Sequence, residues 1–174
     1  MTRIFCTVVA CVLIAACAST PDESLRATAQ LQPTAGNKTF GEATFEQAGD
    51  KVHAAIYVQG LKPGQEHGLH IHEVGDCSSG DGMSAKGHFN PYGKPHAHFS
   101  TSERHAGDLP ALKADASGRA EVTVELDVLT VAAGPASVVG RGLIVHAQPD
   151  DYRTQPTGNA GGRIACAVIR RASS

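Results

Sequence analysis

Beyond residue 26 the chain alternates between apolar and polar positions. Val52, Ala54, Ile56 and Val58 fall on one side of a period of two, with His53, Ala55 and Tyr57 between them. That spacing predicts a strand with one buried face. Gly41 to Glu46 precedes it, joined through Ala48-Gly49-Asp50, and the pair predicts a hairpin. Ala27 to Leu31 alternates more weakly. Lys62-Pro63-Gly64 predicts a turn, because Pro presets φ and Gly accepts positive φ. Gly68 to Glu73 predicts a further strand. Asp115-Ala116-Ser117-Gly118 separates Ala111–Ala114 from Ala120–Leu126, in which Val122, Val124 and Leu126 share a face. Gly140–Ala147 and Arg163–Ile169 supply the last strands. Many short strands without helical periodicity predict an all-β Greek-key sandwich or barrel. Gly75 to Leu109 breaks the pattern: it is long, polar and His-bearing, and a loop of this length inside a domain is usually functional.

The front of the chain follows a different rule. Arg3 precedes an apolar run from Ile4 to Ala16, too short for a bilayer-spanning helix of about 20 residues and of the length of a secretory leader. The run ends in Leu13-Ile14-Ala15-Ala16-Cys17, which resembles a bacterial lipoprotein box. The resemblance implies a leader of residues 1–16 cleaved before Cys17, lipidation of Cys17, and a membrane anchor made stable by several acyl chains. Ala18 after the Cys resembles signals for the outer membrane. The alternative is ordinary cleavage near Ala18. Residues 17–26 read as a tether and 27–171 as one domain, which suits a chain of 174 residues.

Composition adds two constraints. Lys and Arg total 15 against 17 Asp and Glu, so there is no basic surplus to neutralise phosphates and nucleic acid is not an expected partner. The five Cys are an odd number. Cys6 and Cys11 would leave with the leader and Cys17 would carry lipid. Cys77 and Cys166 remain, in an exported protein where disulfides persist. A bridge between them would stabilise the fold by about 4–5 kcal/mol in the chain-entropy model; the alternative is two separate buried thiols.

All nine His lie at or after residue 53. His70 and His72 are two apart, so on a strand both rings face one way and one ion would bind both. The long loop adds His88, His96, His98, His105 and Asp108. His146 ends the apolar run Leu143-Ile144-Val145, where a buried ring needs a partner. Imidazole with carboxylate suits Zn, Cu or Fe better than Ca or Mg. His53 and His67 read as structural or solvated.

These segments together resemble bacterial copper–zinc superoxide dismutases, from about Ala27 to Arg170. Gly68-Leu69-His70-Ile71-His72-Glu73 is similar to the family's strand with two copper ligands. Gly87-His88-Phe89-Asn90-Pro91 is similar to the segment with the bridging imidazolate. Glu103-Arg104-His105-Ala106-Gly107-Asp108-Leu109 resembles the end of the zinc loop. Gly142-Leu143-Ile144-Val145-His146-Ala147 resembles the strand with the last copper ligand, and Gly158 to Cys166 the stretch with the active-site arginine and a disulfide Cys.

The resemblance implies an eight-stranded, immunoglobulin-like Greek-key barrel with long metal-binding loops. It implies one copper on His70, His72, His88 and His146, and one zinc on His88, His96, His105 and Asp108. His98, two residues after His96, would compete for zinc, although the spacing favours His96. Asp150 would hydrogen-bond the free ring nitrogens of His70 and His96, Cys77 would pair with Cys166, and Arg163 would draw in the substrate anion. The implied reaction disproportionates superoxide to dioxygen and hydrogen peroxide by cycling Cu(II)/Cu(I), with His88 carrying a proton and zinc structural, in the periplasm or at the outer membrane. A metal buffer and a metal-free envelope domain are the rival functions; a homodimer and a monomer both stay open.

Overall fold

In the computed structural model the described residues are 25–173; the leader, Cys17 and most of the tether lie outside them. The strands are β1 (Arg26–Pro33), β2 (Phe40–Ala48), β3 (Lys51–Gln59), β4 (Glu66–His67), β5 (Leu69–His72), β6 (Leu112–Lys113), β7 (Arg119–Leu126), β8 (Gly142–His146), β9 (Arg163–Val168) and β10 (Arg170–Arg171), with one short 3-10 turn at Met83–Ala85. Among the described residues no helix is long and apolar enough to cross a membrane.

The β2–β3 hairpin turns at Gly49-Asp50, and Val52, Ala54, Ile56 and Val58 are the buried positions of β3. The antiparallel sheet runs β5-β8-β9-β1-β2-β3-β7, with β10 also paired to β1. β1 joins its two halves by pairing with β2 along Arg26–Leu31 and with β9 at Gln32 and Pro33. The end strands β5 and β7 are linked by the small β4–β6 ladder, which curls the sheet on itself.

Leu31, Phe45, Ile56, Leu69, Ile71, Leu126, Leu143 and Val145 fill the enclosed core. β5 and β8 are buried on both faces. Leu69 and Ile71 point into the core, so the pleat turns His70 and His72 outward, beneath the long loop. That loop pairs with the free edge of β5. Ile71 donates to Gly107 O at 2.9 Å, Phe89 donates to Ile71 O at 2.8 Å, and Glu73 donates to Gly87 O at 2.9 Å. A Cβ on Gly107 would stand 2.2 Å from Ile71 O, so the close approach requires glycine. Edge pairing thereby delivers His88 opposite His72 and Asp108 opposite His70.

Cys77 and Cys166 form a disulfide with Cα atoms 5.9 Å apart. It ties the start of the long loop to β9, beside a small apolar cluster of Ala85, Ile144 and Cys166.

Candidate metal centre

His70, His72, His88 and His146 are all buried, and one nitrogen from each lies within 4.8 Å of the others. In each ring the second nitrogen is held by the protein. His70 Nε2 stands 2.7 Å from Asp150 Oδ2. His72 Nδ1 stands 2.8 Å from Lys86 O, and His146 Nδ1 is 3.3 Å from Gly161 O. His88 Nδ1 is 3.0 Å from Asp108 Oδ1. The remaining nitrogens converge: His72 Nε2 and His146 Nε2 are 3.4 Å apart, while His70 Nδ1 and His88 Nε2 are buried with no hydrogen-bond partner. Buried polar atoms without partners are rare and costly. A cation between the four nitrogens would satisfy them, and four imidazoles suit Cu(II).

A second set surrounds Asp108. Its Oδ1 lies 3.0 Å from His88 Nδ1, 3.0 Å from His96 Nδ1 and 3.4 Å from His105 Nδ1. His88 Nδ1 and His105 Nδ1 are 3.4 Å apart. A tetrahedral ion with bonds of about 2.0–2.1 Å has donors about 3.3 Å from one another, so these spacings fit zinc. His70 also falls within 4.8 Å of His88, His96 and Asp108. Its Nε2 is engaged by Asp150, however, and its free nitrogen joins the first set, so His105 completes the second set better. Among the described residues His88 offers its Nε2 to the first set and its Nδ1 to the second.

Burial, reinforced by neighbouring rings, holds His146 down at about 3 and His72 well below the usual histidine range. Burial likewise holds His88 at about 4, against the raising influence of Asp108. Neutral imidazole is the metal-binding form, so these rings are ready ligands at neutral pH. For His96 burial lowers the ring, but hydrogen bonds to Asp108 and Asp150 prevail and hold it at about 9. Burial raises both carboxyls, yet the histidine hydrogen bonds outweigh it and keep Asp108 and Asp150 ionised, well below the usual range.

Asp150 reaches both sets, since its other oxygen lies 2.9 Å from His96 Nε2. Arg163 is half-buried and donates to Gly82 O and Lys86 O. His98 is exposed, with Nδ1 2.8 Å from Ser100 Oγ and its ring edge-on to Tyr152; it lies outside both sets. His53 is exposed beside Glu125.

Three contributors escape a sequence reading. Gln155 clamps the His96 backbone, accepting from its N–H at 2.8 Å and donating to its carbonyl at 2.7 Å. His67 is buried, with Nδ1 2.8 Å from His146 O. Lys86 O serves both His72 and Arg163. No local motif marks the first or the third, and the polar neighbours Gln65 and Glu66 give no sign that His67 is buried.

A family profile described as copper/zinc superoxide dismutase (SODC) matches residues 39–169. The chain is 40% identical over 152 residues to copper–zinc superoxide dismutase 2 of Aquifex aeolicus, covering 85% of this chain and 88% of that relative. It is 39% identical over 170 residues to the extracellular copper–zinc superoxide dismutase of Drosophila melanogaster, covering 91% and 92%. Among solved structures it resembles the clock protein EA4, with a TM-score of 0.78 and 36% identity over 86% of this chain and 96% of that one. A SOD-like protein from Bacillus subtilis, solved as a double mutant, gives 0.74 and 36% over 82% and 96%.

Proposed function

The chain belongs to the copper/zinc superoxide dismutase family, and on that premise we propose how its residues divide the work. His70, His72, His88 and His146 hold copper; His88, His96, His105 and Asp108 hold zinc. The observation that carries this reading is His88, whose Nε2 faces one set while its Nδ1 faces the other.

Copper, when bound, supplies a centre that changes by one electron, which zinc does not. Over one cycle two superoxide anions and two protons become dioxygen and hydrogen peroxide. His88 Nε2 takes up and hands on one of those protons, and water supplies the other. His88 Nδ1 stays beside Asp108, so the ring keeps its place while its far nitrogen exchanges. Asp150 fixes the tautomers of His70 and His96 by accepting from both Nε2–H groups. Three His and one Asp would fill the four positions of a zinc ion and leave none for a hydrolytic water, which speaks against a zinc hydrolase. Arg163 stays a cation at the rim, although burial lowers it somewhat, and its charge draws the anion towards His72 and His88.

The test is to purify the protein, count copper and zinc per chain, and follow superoxide loss with and without a copper chelator. One of each metal with chelator-sensitive turnover supports the enzyme; bound metal without turnover identifies a buffer. Arg163→Ala should lower the rate and weaken its dependence on ionic strength while both metals stay bound.

The domain division and address are part of the same proposal: cleavage before Cys17, lipid on Cys17, a tether to residue 26, and domain 27–171 held at the outer membrane. The residue pattern around Cys17 supports it, and the Cys77–Cys166 disulfide suits an oxidising compartment. Labelled fatty acid should be incorporated into the wild type and not into Cys17→Ser; a wild type that takes up no label overturns the anchor.

A further inference from the structure

Lys86 holds a backbone conformation suited to glycine. Its φ is 61° and its ψ −144°, a region that residues with a Cβ enter only at a steric cost and that clusters at functional sites. The surroundings impose it. Lys86 N–H donates to Met83 O at 3.0 Å, and the flanking carbonyls of Ala85 and Gly87 accept from Val74 and Glu73. Its own carbonyl accepts from His72 Nδ1 at 2.8 Å and from the Arg163 guanidinium. The side chain, by contrast, is exposed and makes no hydrogen bond or ion pair among the described residues.

A strained lysine with an unengaged ammonium is unexplained by packing. Its charge has a use at this place. The chain carries a formal charge of −2, so it does not attract a small anion at long range. The charge of Arg163 is opposed locally by Asp81. A second cation on the loop that holds Arg163 restores a positive mouth.

We propose that Lys86 is a guidance residue for superoxide: its carbonyl ties Arg163 to His72, and its ammonium adds a second positive charge beside Arg163. The inference rests on the reading of His72 and Arg163 as parts of a superoxide-consuming copper site. The ammonium sits on a four-carbon stem whose backbone touches Arg163, so the two charges act within roughly a Debye length of each other, about 8–10 Å. One unit charge at that range changes the local anion concentration by about twofold.

The experiment compares the copper- and zinc-loaded wild type with Lys86→Gln, Lys86→Arg and Lys86→Gly. At low ionic strength Lys86→Gln and Lys86→Gly should lose about twofold in kcat/KM, with a flatter salt dependence. Lys86→Arg should retain both. The Kd for azide, a small anion read by absorbance, should rise about twofold in Lys86→Gln. Lys86→Gly should melt about 2–4 °C above the wild type as the strain is relieved. An unchanged rate and salt slope in Lys86→Gln overturns the inference alone, as does a loss in Lys86→Arg equal to that in Lys86→Gln. A wild type that holds both metals and leaves superoxide untouched overturns the superoxide reading instead.

Discussion

Asp150 Oδ2 accepts a hydrogen bond from His70 Nε2 at 2.7 Å, and through its second oxygen it holds His96 as well. One carboxylate thus orients a ring in each metal set. Asp150→Ala should weaken retention of both metals by about 10–100-fold, the usual cost of losing a partner behind a ligand. Competition against a calibrated chelator measures it. Unchanged retention of both metals would show that the rings are oriented by packing alone.

Gly158 lies over the same carboxylate. It has a φ of +64°, and a Cβ there would come within 2.5 Å of His96 Nε2, and closer still to Asp150 Oδ1. Gly158→Ala therefore should break the Asp150–His96 contact first and release zinc more readily than copper. Because the two substitutions act through one contact, the double variant Gly158→Ala with Asp150→Ala should cost less than the sum of the single ones. Additive losses in zinc affinity would separate Gly158 from this network.

Asp150 and Gly158 also mark the limit of a linear reading. The strand bearing His70 and His72 was legible because the pleat makes residues two apart share a face, and β3 because its alternation is uninterrupted. The long loop was legible as functional from its lack of pattern. What stayed hidden depends on distant backbone. Gln155 meets His96 across 59 residues, and Lys86 meets Arg163 across 77. The edge pairing that carries His88 and Asp108 to β5 uses isolated bridges at Gly87–Phe89 and Gly107–Asp108, too short to leave an alternating signature. His67 read as structural or solvated; the structure buries it against the His146 carbonyl, a contact made where β8 ends beside Gly68.

The disulfide spans 89 residues, and a loop of that size gives about 4–5 kcal/mol in the chain-entropy model. Cys77→Ser with Cys166→Ser should lower the thermal midpoint by about 10 °C or more. The same loop presents Gly82 O and Lys86 O to Arg163, so turnover should fall even at temperatures where the variant stays folded. A variant with reduced stability but full activity at 20–25 °C would show that the carbonyls hold Arg163 without the bridge.

Stability of the metal-stripped protein should pass through a maximum near pH 6.5. His72, His88 and His146 are held below the usual histidine value of about 6.5. Below that pH the unfolded chain takes up protons that the folded rings refuse, His88 until about 4 and His146 until about 3, so unfolding binds protons and stability falls on acidification. His96 has the opposite sign. Held at about 9, it contributes fully below about 6.5, and that contribution is lost as pH rises through 9. Asp108 and Asp150, depressed by their histidine partners, contribute above about 3.9 and add to the loss only below it. Three rings thus set the acid limb and one sets the alkaline limb, so the acid limb should be the steeper. Copper and zinc compete with protons for the same nitrogens, and loading should flatten the profile between pH 5 and 9. Thermal melts of stripped and loaded protein across this range decide the matter. A stripped protein whose midpoint rises from pH 6.5 to 4 would mean that His72, His88 and His146 do not stay neutral when folded.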